Sequence, residues 1–175
     1  MTTLIIIFGL IVLLVLSGLI ISKEMNIERN IVINKSVNEV YEYLKFMQHQ
    51  DYFSVWNMTD PNMKKTHKGT DGTVGFLYTW DSEMKNVGAG EQQTTGIEDG
   101  KSIDYTVKFY RPMQNTGNIR FQITSLGEES SSVAWIFDSP SKFPMSLFSP
   151  IFKKMLGKDL LKGLNNLKGI LEKQK

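Results

Sequence analysis

The 175-residue sequence predicts an α+β fold: a curved antiparallel sheet around a long C-terminal helix, preceded by one N-terminal transmembrane helix. Three patterns carry that expectation. Residues 4–21, LIIIFGLIVLLVLSGLII, hold no charge. Between Phe76 and Phe137 apolar residues recur at every second position in four separate runs, the period of a strand with one buried face. From Leu156 onward leucines recur every three or four residues, the period of a helix.

The first stretch is interrupted only by Gly9, Ser17 and Gly18. Eighteen residues at a 1.5 Å rise cover about 27 Å, the hydrocarbon thickness of a bilayer. A cleaved signal peptide calls for a basic start and a small-residue exit, whereas Met1-Thr2-Thr3 is uncharged and Ile20-Ile21-Ser22-Lys23 is a poor cleavage site. Residues 1–24 are therefore expected to be a retained anchor, and residues 25–175 one domain, since about 150 residues suit a single core. Lys23 and Arg29 follow the stretch and nothing basic precedes it, which predicts a single-pass membrane protein with its domain in the cytoplasm. Asn34-Lys35-Ser36 and Asn57-Met58-Thr59 match glycosylation triplets, relevant only to a lumenal domain.

In the domain, after a short linker, apolar residues at Ile27, Ile31 and Ile33 predict a strand. Ser36-Val37-Asn38-Glu39 is a capping box, in which the Ser36 hydroxyl and Glu39 carboxylate each take a free N–H. Val37, Val40, Tyr41, Leu44 and Met47 follow at helical spacing, and a helical turn or loop continues from His49 to Trp56. From Met63 the period becomes two. Phe76, Tyr78 and Trp80 share one face, with Gly75 and Thr79 on the other. Ile103, Tyr105, Val107 and Phe109 repeat the pattern, then Ile119, Phe121 and Ile123, then Val133, Trp135 and Phe137. Gly69-Thr70-Asp71-Gly72, Glu98-Asp99-Gly100 and Gly127-Glu128-Glu129 mark turns between runs, the signature of an antiparallel meander. Ser149 as cap and Pro150 at the first helical position begin the last helix, whose apolar stripe is Leu156, Leu160, Leu164, Leu167 and Leu171. Gly157, Gly163 and Gly169 weaken that helix, or let it approach a sheet closely.

Composition removes several function classes. Twenty basic and eighteen acidic residues leave a net charge of +2, with no broad field for nucleic acid. The absence of cysteine removes disulfides, thiolate catalysis and Cys-bound metal. His49 and His67 are too few for a His-rich metal site, and no carboxylate or His cluster has metal-ligand spacing. Gly-x-Ser-x-Gly is absent, and Gly88-Ala89-Gly90 is no dinucleotide loop, so no cofactor is expected. His67 with Asp81 or Glu91 is the one conceivable acid–base pair; a His among Lys64, Lys65 and Lys68 is more often a solvated strand residue. The C-terminal lysines Lys142, Lys153, Lys154, Lys158, Lys162, Lys168, Lys173 and Lys175 outnumber Asp159 and Glu172. They read as a solvated helix face, or, next to an anchor, as a contact for anionic headgroups.

Several segments resemble the START-like superfamily (SRPBCC, Bet v 1-like), in its polyketide cyclase/dehydrase and lipid-transport branch. They are Ile31-Val32-Ile33-Asn34-Lys35-Ser36-Val37-Asn38-Glu39-Val40-Tyr41, Gly75 through Trp80, Gly88-Ala89-Gly90-Glu91 leading into a strand, and Trp135-Ile136-Phe137. Met155-Leu156-Gly157-Lys158-Asp159 and Gly163-Leu164-Asn165-Asn166-Leu167-Lys168 complete the likeness, which covers residues 25–173. The resemblance implies the helix-grip fold and a hydrophobic small molecule or lipid as partner. The expected cavity lies between sheet and last helix. Its candidate lining is Trp56, Phe76, Tyr78, Trp80, Tyr105 and Phe109 with Phe121, Trp135 and Phe137, plus Met155, Leu160 and Leu164 from the helix. Core packing is the default use of buried aromatics, so part of this set is expected to be core alone. Met84, Met113, Met145 and Met155 suit an adaptable entrance. The function expected is binding or transfer of an apolar molecule at a membrane. A cyclase- or hydrolase-like enzyme using the same cavity, or an interaction protein with a filled core, are the alternatives.

Overall fold

The computed structural model describes residues 24–141 and 144–173. The expected anchor 4–21, with Lys142 and Lys175, lies outside them. Among the described residues no helix is long and apolar enough to cross a membrane.

Seven strands form one antiparallel sheet: β1 (Glu24–Ile33), β2 (Lys64–Lys68), β3 (Leu77–Asp81), β4 (Ala89–Glu98), β5 (Ser102–Arg111), β6 (Asn115–Gly127) and β7 (Ser130–Pro140). Their spatial order is β1-β7-β6-β5-β4-β3-β2, so the meander β2–β7 is closed by the first strand returning beside the last. Between β1 and β2 lie α1 (Val37–Leu44), a 3-10 turn (Met47–His49), α2 (Gln50–Phe53) and α3 (Val55–Thr59); a second 3-10 turn (Met145–Phe148) leads into α4 (Ser149–Leu171).

β1 begins at Glu24, with no linker before Ile27, because the end of β7 supplies partners for its first residues: Glu24 opposite Pro140, Met25 opposite Ser139. The capping box forms as expected. Ser36 Oγ accepts the Glu39 N–H at 3.3 Å and Glu39 Oε2 accepts the Ser36 N–H at 3.1 Å. The Lys35 ammonium, the Ser36 hydroxyl donating to Oε2 at 2.8 Å and the Ser36 N–H hold the Glu39 carboxyl down at about 2. α1 stops at Leu44, and Met47 starts the 3-10 turn instead of continuing the helix. Asp71, from the loop before β3, accepts the Met47 and Gln48 N–H groups at 2.8 and 3.1 Å and so caps this second helical run.

Ser149 does not cap α4. It is the first helical residue, because the preceding 3-10 turn already has helical backbone, and its hydroxyl pairs with Ser141 instead. Pro150 sits in the first turn, where its missing N–H costs nothing. Leu156, Leu160, Leu164, Leu167 and Leu171 are all buried, each contributing about 1.5–3 kcal/mol. α4 lies mainly against β1, with Gly163 pressed onto Trp135 of β7 and the Phe53 carbonyl. Its weight falls on one half of the sheet and leaves the inner face of β3, β4 and β5 to other cover.

Candidate functional site

Beside α4, over the inner face of β3 to β7, the domain encloses a cavity of about 270 Å³. Its floor is the inner face of the strands, with Tyr78 and Trp80 on β3, Gln92 on β4, Val107 and Phe109 on β5, Ile119 on β6, and Trp135 and Phe137 on β7. Its roof is α2 and α3, through Gln50, Ser54, Trp56 and Asn57. The sequence placed the chamber beneath the C-terminal helix; the two short helices cover it instead. α4 joins through Phe152, Met155 and Leu156 in a second cleft of about 710 Å³. Cavity and cleft share Trp56, Phe109, Met113 and Asn115 as a common rim.

The aromatic floor depends on glycines beside it. Trp80 stands opposite Gly90 across the β3–β4 ladder, and a Cβ on Gly90 would lie 2.6 Å from the indole Cζ2. The side-chain-free strand therefore lets the indole lie flat, where it meets Phe109 edge-on at 5.9 Å. Gly117 leaves room for Phe137 in the same way, 3.0 Å from its Cζ.

One side of the wall is polar. The buried Tyr78 hydroxyl donates to Asp51 Oδ1 at 2.8 Å; the Asn57 amide donates to the same oxygen at 2.8 Å, and Lys65 pairs with Oδ2 at 2.9 Å. Burial first, then Asp51, push the Tyr78 hydroxyl above its ordinary ionisation range, so it stays protonated. Asp51 is thereby engaged on both oxygens, and the cluster ties α2, α3, β2 and β3 together as a polar wall. Beside it, the Gln92 amide donates to Gln50 Oε1 at 3.4 Å. The Trp135 indole N–H is buried without a hydrogen-bond partner among the described residues.

The cavity opens at the end of the sheet where β1 starts. Asn86 and Val87, from the loop between β3 and β4, and Pro112 and Met113, between β5 and β6, form its mouth. The first loop is pinned from inside. The buried Ser82 hydroxyl donates to the Asp60 carboxylate and accepts the Met84 N–H at 3.0 Å, while the Ser82 N–H donates to the Gly88 carbonyl at 2.9 Å. Gly88, at φ +67°, makes that turn.

Of the residues expected from the sequence, Trp56, Tyr78, Trp80, Phe109, Trp135 and Phe137 meet at this cavity. Met155 is exposed and lines only the outer cleft and a shallow surface groove. Phe76, Tyr105, Phe121, Leu160 and Leu164 are buried outside its lining. The Tyr105 hydroxyl is spent on the Leu44 carbonyl at 3.3 Å. Met113 is at the mouth and Met84 in the pinned loop; the side chain of Met145 lies outside the described residues.

The sheet separates the members of the expected acid–base pair. His67 stands opposite Tyr78 on the inner face, exposed at the edge strand, its ring 5.1 Å from the Tyr78 ring. Asp81 and Glu91 are on the outer face, held by Arg111 and, at 2.9 Å, by Lys108. Asn57 of the second glycosylation triplet faces the cavity wall. Among the described residues no group of three or more His, Asp or Glu side chains could hold a metal ion.

Sequence reading missed Gln50, Asn57 and Gln92. Val107 and Ile119 were legible, since they continue the inward alternation of Tyr105 and Phe121. β4 carries no such signal: its buried positions are Ala89, Gly90, Gln92 and Thr94.

No protein-family model matches the chain, and no curated protein does. Solved structures do. Norcoclaurine synthase from Thalictrum flavum, in complex with dopamine and hydroxybenzaldehyde, superposes with a TM-score of 0.65 at 10% identity, covering 90% of this chain and 92% of that one. The di-domain ARO/CYC StfQ from the steffimycin biosynthetic pathway gives 0.62 at 12% identity, over 86% of this chain and 51% of StfQ. CV1439 from Chromobacterium violaceum gives 0.60 at 13% identity, over 85% and 97%. The chain thus has the START-like (SRPBCC, Bet v 1) fold that its sequence resembles.

Proposed function

We propose that this START-like domain is a membrane-tethered binding or transfer module that takes an apolar small molecule or lipid into the cavity over β3–β7. The observation that carries the reading is the cavity itself: about 270 Å³ walled by aromatic rings and open at one end. The polar side formed by Tyr78, Asn57, Gln50 and Gln92 suits a ligand with one hydrogen-bonding end. The uncharged stretch 4–21 supports the tether, and Lys23 and Arg29 support a cytoplasmic domain. A cyclase-like enzyme in the same cavity is the second reading, favoured by the Tyr78–Asp51–Lys65 cluster at the wall.

The chain's three tryptophans, Trp56, Trp80 and Trp135, all line the cavity, so its intrinsic fluorescence is a report on that space. Full-length protein in nanodiscs is expected to carry a co-purifying apolar molecule in native mass spectra. Its tryptophan emission is expected to respond saturably to cis-parinaric acid, and V107W, which fills the floor, to lose that response while melting cooperatively. A chain that carries nothing and shows no saturable response refutes the binding reading.

A further inference from the structure

Three features of one end of the domain have no part in the cavity wall. The first is where the chain enters. Ile21 ends the apolar stretch and Glu24 is already hydrogen-bonded sheet, so three residue steps, at most about 11 Å, separate them. The headgroup layer on one side of a bilayer is roughly 5–7 Å deep. The second is the outer face of the first turns of α4. Ile151 and Met155 are 66% and 55% exposed and alternate with the exposed Lys154 and Lys158. Neither lysine is in an ion pair among the described residues. Phe148, also exposed, precedes them. The third is adjacency: Met25, next to the chain's point of arrival, shares a cleft with Phe152 and Met155, and that cleft shares its rim with the cavity mouth.

We infer that this end of the domain lies on the surface of an anionic bilayer. Ile151 and Met155 sit in the headgroup layer, Lys154 and Lys158 on lipid phosphates, and the cavity mouth faces the membrane. The inference rests on the tether proposed above and deepens it: a three-step tether holds this end, and no other, against the lipid. An apolar face interleaved with lysines is the composition of an interfacial helix, and anionic lipid supplies the countercharge. A ligand then passes between bilayer and cavity without crossing water, which an apolar molecule otherwise does at the cost of its whole exposed surface.

The chain has no cysteine, so single labels are clean. I151C and E129C, each carrying a nitroxide, are compared in full-length protein reconstituted into vesicles of phosphatidylcholine and phosphatidylglycerol at seven to three. Glu129 lies in the β6–β7 turn at the far end of β7, whose eleven residues span about 36 Å. Expected is headgroup-depth oxygen accessibility at 151 and bulk-water accessibility at 129. K154E together with K158E is expected to shift the docked-to-free ratio at 151 by at least roughly 30-fold, from about fivefold per lysine lost. Equal water accessibility at 151 and 129 overturns the docking. So does spin–spin broadening between copies at 151, which assigns this face to a second copy of the chain. Carbonate extraction and tryptophan response to cis-parinaric acid are read on the same vesicles. A chain that resists extraction and takes up the probe, yet leaves 151 in water, sinks the docking alone. A chain that carbonate releases sinks the tether beneath it.

Discussion

Tyr41 shows what one buried hydroxyl contributes. Its ring packs in the core beneath α1, and its hydroxyl donates to Asp99 Oδ1 at 2.6 Å, fastening the helix to the β4–β5 turn. Burial first, and then Asp99, push its ionisation up to about 12 from the ordinary 10. A folded-state value above the unfolded one favours the neutral form in the native state. The stability it confers is fully present below pH 10 and lost as pH rises from 10 through about 12. Tyr41→Phe is expected to cost about 0.5–1.5 kcal/mol at pH 8 and to flatten the decline between pH 10 and 12 relative to the parent chain. Urea unfolding of both chains across that range reads the two effects. At the same scale the cavity's aromatics were legible as inward strand residues, and Tyr78 as one with a polar tip. Asp51 was not. It lies 27 residues before Tyr78, in a segment that reads only as a helical turn or loop, and only the fold brings its carboxylate to that hydroxyl.

At the scale of elements, the glycines of α4 separate packing from propensity. A Cβ on Gly163 would stand 2.7 Å from Trp135 Cζ3 and 3.3 Å from the Phe53 carbonyl, so the helix would have to lift off the sheet and off the cavity roof. Gly169 has nothing within 4 Å. Gly163→Ala is expected to destabilise by about 1–3 kcal/mol. Gly169→Ala is expected to stabilise by about 0.5–1 kcal/mol, the ordinary helix preference for Ala. Denaturant midpoints of the two variants give opposite signs if the contact governs Gly163; equal gains would show that α4 does not press on the sheet. The periodicity of α4 was plain in the sequence, and so was the capping box of α1. The roof was not, because α2 and α3 are four and five residues long, too short to show a helical stripe. The 3-10 turn that leads into them is capped by Asp71, from a loop that reads only as a turn signal.

For the whole molecule, a void of this size beneath a polar roof is unfilled contact that a ligand can supply. Anything bound by the folded state alone stabilises it by about 2.7 kcal/mol at one hundred times its dissociation constant. For a domain of this length that raises the melting temperature by roughly 5–10 °C. The full chain in nanodiscs is expected to show such a rise with cis-parinaric acid, and the V107W variant to show none. A parent chain whose melting is indifferent to the probe contradicts ligand storage in the cavity. The pairing of β1 with β7 bears on the same chamber, since it joins the first strand to the last and sets the end at which the chain arrives beside the cavity mouth.

The sequence by itself determined the kinds of element, their order, the buried face of most strands and of the last helix, and the start of α1. It also placed an uncharged stretch of bilayer length ahead of the first strand. Those features are written in residue spacings of two to four and in caps that act within one turn, so they can be read without knowing what lies across the sheet. Tertiary structure decided that α4 covers the β1 side and two short helices the other. It also decided that Tyr78, Asp51 and Lys65 meet, that His67 is parted from Asp81 and Glu91, and that the cavity opens where the chain enters. Each of these joins residues far apart along the chain, fixed by strand register and sheet order, and local spacing carries no information about either.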